Sequence, residues 1–152
     1  MRHASGAPIV ATAEVDRPAA DVFAYATDPA RFREWQLGVV DGRMDHDGPA
    51  SVGDRCRTTR RIGGAQRPFT SAVTHVDPPR AWGVRGVDGP VRATVDVTVD
   101  PLTSTRSRLT ISVGFAGHGI GRVLVPLVVR RQAQKEMPAN VAALKRRLEA
   151  GD

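Results

Sequence analysis

The 152-residue chain holds a single cysteine, Cys56, so no internal disulfide forms and a reducing compartment is the expected setting. No apolar run approaches the ~20 residues a helix needs to cross a bilayer, which excludes an integral membrane protein of that type. Met1 to Ala7 lacks the apolar core of a secretory signal, and a cytoplasmic address follows as the expectation. Lysine is nearly missing: Lys135 and Lys145 are the only two among 22 basic residues, so the net charge of +6 is carried by arginine. Those arginines are spread along the chain without an aromatic-flanked basic stripe. Solvated faces explain them more simply than a phosphate-binding surface, and no nucleic-acid partner is expected.

Clustered metal ligands are also lacking. His3, His46, His75 and His118 lie far apart; Asp45 and Asp47 flank His46 and Asp77 follows His75, but no second His or Cys joins at ligand spacing. The glycines of Gly117-His118-Gly119-Ile120-Gly121 lack the βαβ setting of a dinucleotide site and read instead as a mobile entrance to a helix. No nucleophile elbow occurs. The expectation is no metal and no cofactor.

What is present is strand periodicity. Residues 8–15 alternate, with Ile9, Ala11, Ala13 and Val15 on one face. Turn chemistry at Asp47-Gly48-Pro49, Gly63-Gly64, Asp77-Pro78-Pro79, Asp88-Gly89-Pro90 and 101–105 separates six further runs, about 39–46, 53–62, 67–76, 81–87, 91–100 and 106–115. In the last two, Val91, Ala93, Val95, Val97 and Val99, then Leu109, Ile111, Val113 and Phe115, alternate with polar residues. Asp16-Arg17-Pro18 and Thr27-Asp28-Pro29 each signal a helix entry, predicting two short helices after the first strand.

The longest helical stretch spans about 119–149, with Met137, Val141, Leu144 and Leu148 at helical spacing. Pro126 and Pro138 lie within it, so a start near Pro126 or a bend near Pro138 is expected. The order is strand, two short helices, six strands, long helix. A single domain over 1–152 follows, with residues 1–7 expected to be flexible. One helix cannot fill the whole concave side of a curved seven-stranded sheet, and the remainder becomes an apolar cavity roofed by Phe32 and Trp35.

Several stretches in order resemble the START-like, helix-grip (SRPBCC) superfamily, in its polyketide cyclase/dehydrase and lipid-transport branch. They are Val15-Asp16-Arg17-Pro18, Val22-Phe23, Thr27-Asp28, Phe32 with Trp35, Val52-Gly53-Asp54, and Val73-Thr74 before Asp77-Pro78-Pro79-Arg80. Gly89-Pro90, Thr105-Arg106, and Leu144-Lys145 before Leu148-Glu149 complete the series. The resemblance implies an α+β helix-grip fold and a hydrophobic pocket, but no one reaction, because members include carriers, receptors and aromatase/cyclases. Cyclases of this kind use pocket Arg, Tyr and Ser side chains. Here the one tyrosine, Tyr25, sits on the first helix, outside the expected pocket.

The expected ligand-binding set is Phe32, Trp35, Cys56, Thr58, Arg60, Val73, Val95, Val97, Leu109, Ile111, Val123, Leu127, Arg130 and Met137. On strand 53–62, Cys56, Thr58, Arg60 and Ile62 share the only face with apolar residues and are placed inward, sending Arg60 toward the cavity rim. Arg60 and Arg130 each have two readings, a solvated arginine or an anchor for an acidic ligand. His75 is a weak acid–base candidate of undecided face, since Val73 and Val76 both point inward only with a bulge. Trp82 and Cys56 are read as fillers. Three functions remain open: binding a lipid, polyketide or similar molecule; aromatase, cyclase or dehydratase chemistry in the same cavity; or a protein-partner module. A homodimer is compatible with the sequence.

Overall fold

The computed structural model describes residues 7–151; the expected flexible segment and His3 fall on or within residues 1–7, of which 1–6 lie outside that range. Seven strands form one antiparallel sheet in the order β1-β7-β6-β5-β4-β3-β2. They are β1 (Ile9–Val15), β2 (Val39–Met44), β3 (Arg55–Ile62), β4 (Ala65–Asp77), β5 (Ala81–Gly86), β6 (Val91–Thr103) and β7 (Arg106–Gly117). Six consecutive strands make a meander, and β1 pairs with β7, so Ile9, Ala11 and Ala13 stand opposite Val113, Ile111 and Leu109. Every run predicted from turn chemistry is a strand within a few residues of its expected limits.

Two short helices follow β1: α1 (Ala19–Ala26) and a 3-10 helix (Pro29–Glu34). The second starts as the sequence predicts, with the Asp28 carboxylate accepting the Ala30 N–H at 3.1 Å. The first does not. Pro18 occupies its cap position without a side-chain hydrogen bond, and the Asp16 N–H donates to Glu149 instead, at 3.0 Å.

The long helix begins earlier than Pro126. It is α-helical over Gly121–Leu124, π-helical over Val125–Val129 and α-helical again over Arg130–Glu149. A π turn widens the backbone locally, and this one takes in Pro126, so that proline neither starts the helix nor ends it. Pro138 lies inside the final α-helical stretch. At the glycine-rich entrance to the helix, a side chain at Gly117 would strike the carbonyl of Gly121, and one at Gly121 would strike that of Pro90. Close backbone contact is what those two glycines allow.

Packing is uneven along the sheet. At one end Val15, Val99, Leu109 and Ser107 are fully enclosed, against Leu144 and Leu148 of the long helix. Ser107 is the one buried polar residue in this group, and its hydroxyl donates to the carbonyl of Arg17 at 2.9 Å. Each such aliphatic side chain contributes about 1.5–3 kcal/mol on burial. At the other end the inward residues Val91, Ala93, Val95 and Phe115 are only half-buried. One end is therefore closed by the helix, and the other, with its inward residues only half-buried, is the more open.

Candidate functional site

The open end is built first by β3. Its eight residues include four arginines, and the two-residue period decides which of them enters the molecule. Cys56 is buried, Thr58 and Arg60 are half-buried on the same face, and Arg55, Arg57 and Arg61 are exposed. Arg60 stands opposite the buried Val39 of β2 and donates from Nη2 to the Gln36 side-chain oxygen at 3.0 Å. Burial holds its guanidinium below the usual arginine range, opposed by the carboxylate of Glu136 on the long helix. Among the described residues no carboxylate lies within ion-pair distance of Arg60. It is therefore deep enough to be desolvated while part of its surface is still reached by water.

Beside it the 3-10 helix forms a lid over β2. The lid fits because residue 42 is glycine: a side chain there would collide with the backbone carbonyl of Pro29. Phe32 and Trp35 from this helix are buried and meet edge-to-face, with ring centroids 5.9 Å apart. Phe32 also meets Trp82 of β5 at 6.4 Å. The indole Nε1–H of Trp35 is buried without an acceptor among the described residues. A buried donor left unpaired costs about 1–3 kcal/mol.

The remaining expected site residues divide into three groups. Val73, Val97, Leu109, Ile111 and Met137 are buried core residues, and Val95 is half-buried on the concave face. Val123 and Leu127 do not join them: they are exposed, roughly opposite the buried Gly121 and Val125 on the same helix. Arg130 turns to the chain start, donating to the carbonyl of Ala7 at 2.6 Å. The bulge needed to bring Val73 and Val76 to one face is present between Val73 and His75, and it turns His75 outward. The imidazole lies over Gly83 with Nε2 3.6 Å from the Asp96 carboxylate, on the convex face. His75 is thus removed from any chemistry inside the sheet. Nearby, Thr94, Asp96, Ser112 and Gly114 line a shallow convex-face groove of about 260 Å³.

Two other titratable side chains are accounted for structurally. Burial pushes the Cys56 thiol up to about 11, so it is protonated and inert at neutral pH. Tyr25 is buried and donates to Glu34 at 3.0 Å; burial, with that carboxylate, raises its pKa to about 12.

Gln36 and Glu136 are absent from the sequence-derived set. Glu136 had a signal, being the first acid after Asp100; Gln36 had none.

The β2–β3 loop brings together a group that spacing along the chain conceals. Asp45, His46 and Asp54 place one ligand atom each within 4.8 Å of one another, an arrangement able to hold a cation. The structure uses it as an ion pair, with His46 Nε2 2.7 Å from Asp54 and Nδ1 2.8 Å from the Asp47 carbonyl. The Asp47 carbonyl, then Asp54, hold the His46 pKa above its ordinary 6.5. The Ser51 N–H, with help from His46, holds Asp54 below its ordinary 3.8. A raised imidazole stabilises the fold below its unfolded pKa and loses that contribution as pH rises through the folded one; a lowered carboxylate does the reverse. The loop pair is therefore at full strength between about pH 3.8 and 6.5. In an NMR titration His46 is expected to titrate above 6.5, and Asp54→Asn to bring it down. An unshifted His46 in the wild-type chain would remove the pair.

A curved seven-stranded antiparallel sheet that grips a C-terminal helix, with two short helices after its first strand, defines a START-like helix-grip protein. Solved structures agree. The aromatase/cyclase Zhui from Streptomyces sp. R1128 superposes with a TM-score of 0.72 at 18% identity, over 98% of this chain and 99% of that one. A START superfamily protein from Mycobacterium smegmatis gives 0.69 at 15%, over 95% and 96%. The di-domain aromatase/cyclase BexL of the BE-7585A biosynthetic pathway gives 0.71 at 19%, over 93% of this chain. The chain spans about half (46%) of BexL. No curated protein matches the chain in sequence. The chain belongs to the polyketide cyclase/dehydrase and lipid transport family, whose model matches residues 7–149.

Proposed function

We propose that this protein binds a hydrophobic small molecule, a lipid, polyketide or similar compound, between the concave sheet face and the long helix. In this reading an oxygen of the ligand is held at Arg60. The observation that carries it is the state of that side chain: surrounded, desolvated, reached by water, and among the described residues bonded only to the neutral Gln36 amide. A group both enclosed and wettable is what the wall of such a binding hollow would present. A guanidinium there without a carboxylate partner is costly, and an acidic or carbonyl oxygen supplies what it lacks. The half-buried Val95, Phe115 and Thr58 on the concave face offer a mixed lining for such a ligand.

A second reading, aromatase/cyclase or dehydratase chemistry in the same hollow, is favoured by one observation. The Glu136 carboxylate on the long helix bears on Arg60 without pairing with it. Arg60 would polarise a carbonyl and Glu136 would move a proton. The earlier candidates for this work, His75 and Arg130, lie elsewhere.

Two fluorescent probes test the binding: anionic 1-anilinonaphthalene-8-sulfonate and neutral N-phenyl-1-naphthylamine. Both are expected to quench tryptophan emission, and Trp35→Phe to remove most of that quenching. Arg60→Met is expected to weaken the anionic probe about ten-fold or more, as for loss of a charged hydrogen bond, and to spare the neutral one. If neither probe competes at Trp35, the proposal fails. Native mass spectrometry then separates carrier from enzyme: a polyketide recovered unchanged supports the first, a converted one the second.

A further inference from the structure

The N-terminal half of the long helix carries an apolar stripe that none of the described residues covers. Ile120, Val123, Leu124, Leu127 and Val128 are 63%, 53%, 37%, 58% and 56% exposed. Their spacing, one residue, then pairs three to four and seven to eight positions on, is that of one helix face. Gly121 and Val125, on the other side, are the residues this segment buries. Among the described residues no helix is long and apolar enough to cross a membrane, and a stripe of this kind is suited to lying on a surface.

The charge on the segment itself is of one sign; Glu136, just beyond it, bonds Gln132. From residue 101 to 135 there is no Asp or Glu, while Arg122, Arg131 and Lys135 are exposed on this helix. Among the described residues none of those three is ion-paired, and Arg130 is engaged with the Ala7 carbonyl. The acid on the adjoining turn, Asp88, is occupied in accepting the Thr70 N–H at 3.1 Å. A second copy of this chain fits such a face badly, since a two-fold contact would set uncompensated cations against their own copies. Aliphatic side chains ringed by free cations complement anionic headgroups over acyl chains.

We infer that residues 120–135 dock this protein peripherally on an anionic lipid surface, with the aliphatic stripe inserted shallowly and Arg122, Arg131 and Lys135 on the headgroups. This surface is separate from the Arg60 hollow and does not depend on it.

Co-sedimentation with phosphatidylcholine vesicles, with and without 30% phosphatidylglycerol, tests the inference. The full chain is expected to sediment with the anionic vesicles and to be released as salt rises. Arg122→Gln with Arg131→Gln is expected to weaken binding roughly twenty- to thirty-fold, from about five-fold per cation. Leu127→Ser with Val128→Ser leaves the charge unchanged and, both sites being exposed, leaves the fold intact by circular dichroism; it is expected to abolish sedimentation. Undiminished binding of that variant would reduce the effect to bulk charge and overturn the proposal. So would failure of the wild type to sediment at low salt, or a dimer that the same substitutions dissolve.

Discussion

Leu144→Ala is expected to lower the stability of this protein by about 2–5 kcal/mol, which for a domain of this size is a fall in Tm of roughly 5–15 °C. Leu144 has no exposed surface and belongs to the same closed cluster as Val15, Val99 and Leu109. Its removal leaves a void that rigid strands on one side cannot collapse into. Leu127→Ala on the same helix is the control, since its side chain is 58% exposed and the change should stay within about 0.5 kcal/mol. Thermal melts of the two variants decide the matter. Equal melting temperatures would mean that helix and sheet are not clamped at this end.

The second large effect is expected from Gly42→Ala. The added methyl would meet the carbonyl carbon and oxygen of Pro29, which are backbone atoms of the lid helix and cannot rotate aside. Overpacking of this kind costs about 1–3 kcal/mol, and the lid must lift to relieve it. Because Phe32 and Trp35 ride on that helix, lifting should expose Trp35. In a Trp82→Phe background its emission should move to the red, and the affinity for a neutral hydrophobic probe should fall several-fold. Gly114→Ala meets nothing within 4 Å and should behave as wild type. If Gly42→Ala melts and binds like wild type, the glycine is not what seats the lid.

The architecture was readable because local signals and the global arrangement agree. Turn residues bracket each strand, and the alternation of Val91 to Val99 and of Leu109 to Phe115 names the buried face directly. The bulge at Val73 was readable as a condition but not as an outcome, and only the observed pairing settles that His75 faces out. The inward face of the candidate site was legible where strand parity applies, as at Cys56, Thr58 and Arg60. They were not legible where the contact joins distant segments. Gln36 bonds Arg60 from a distant segment, and the Glu136 carboxylate acts on Arg60 from another; no periodicity in one segment reports on another. The helix misled for a different reason. Val123 and Leu127 carry the composition of a core, and only their exposure reveals that the protein buries the other side of that turn.

The ties at the closed end link the two extremes of the sequence. Arg17 donates to the carbonyl of Leu148 at 2.8 Å, across 131 positions, and Lys145 reaches the carbonyl of Glu14 at 2.8 Å, also across 131. Contacts of such long range form late, because the intervening chain must first be ordered. During synthesis the strands emerge before the segment that will cover their greasy side. Until residue 149 clears the ribosome, the nascent sheet has no cover of its own and depends on slow pairing or a chaperone to stay out of aggregates.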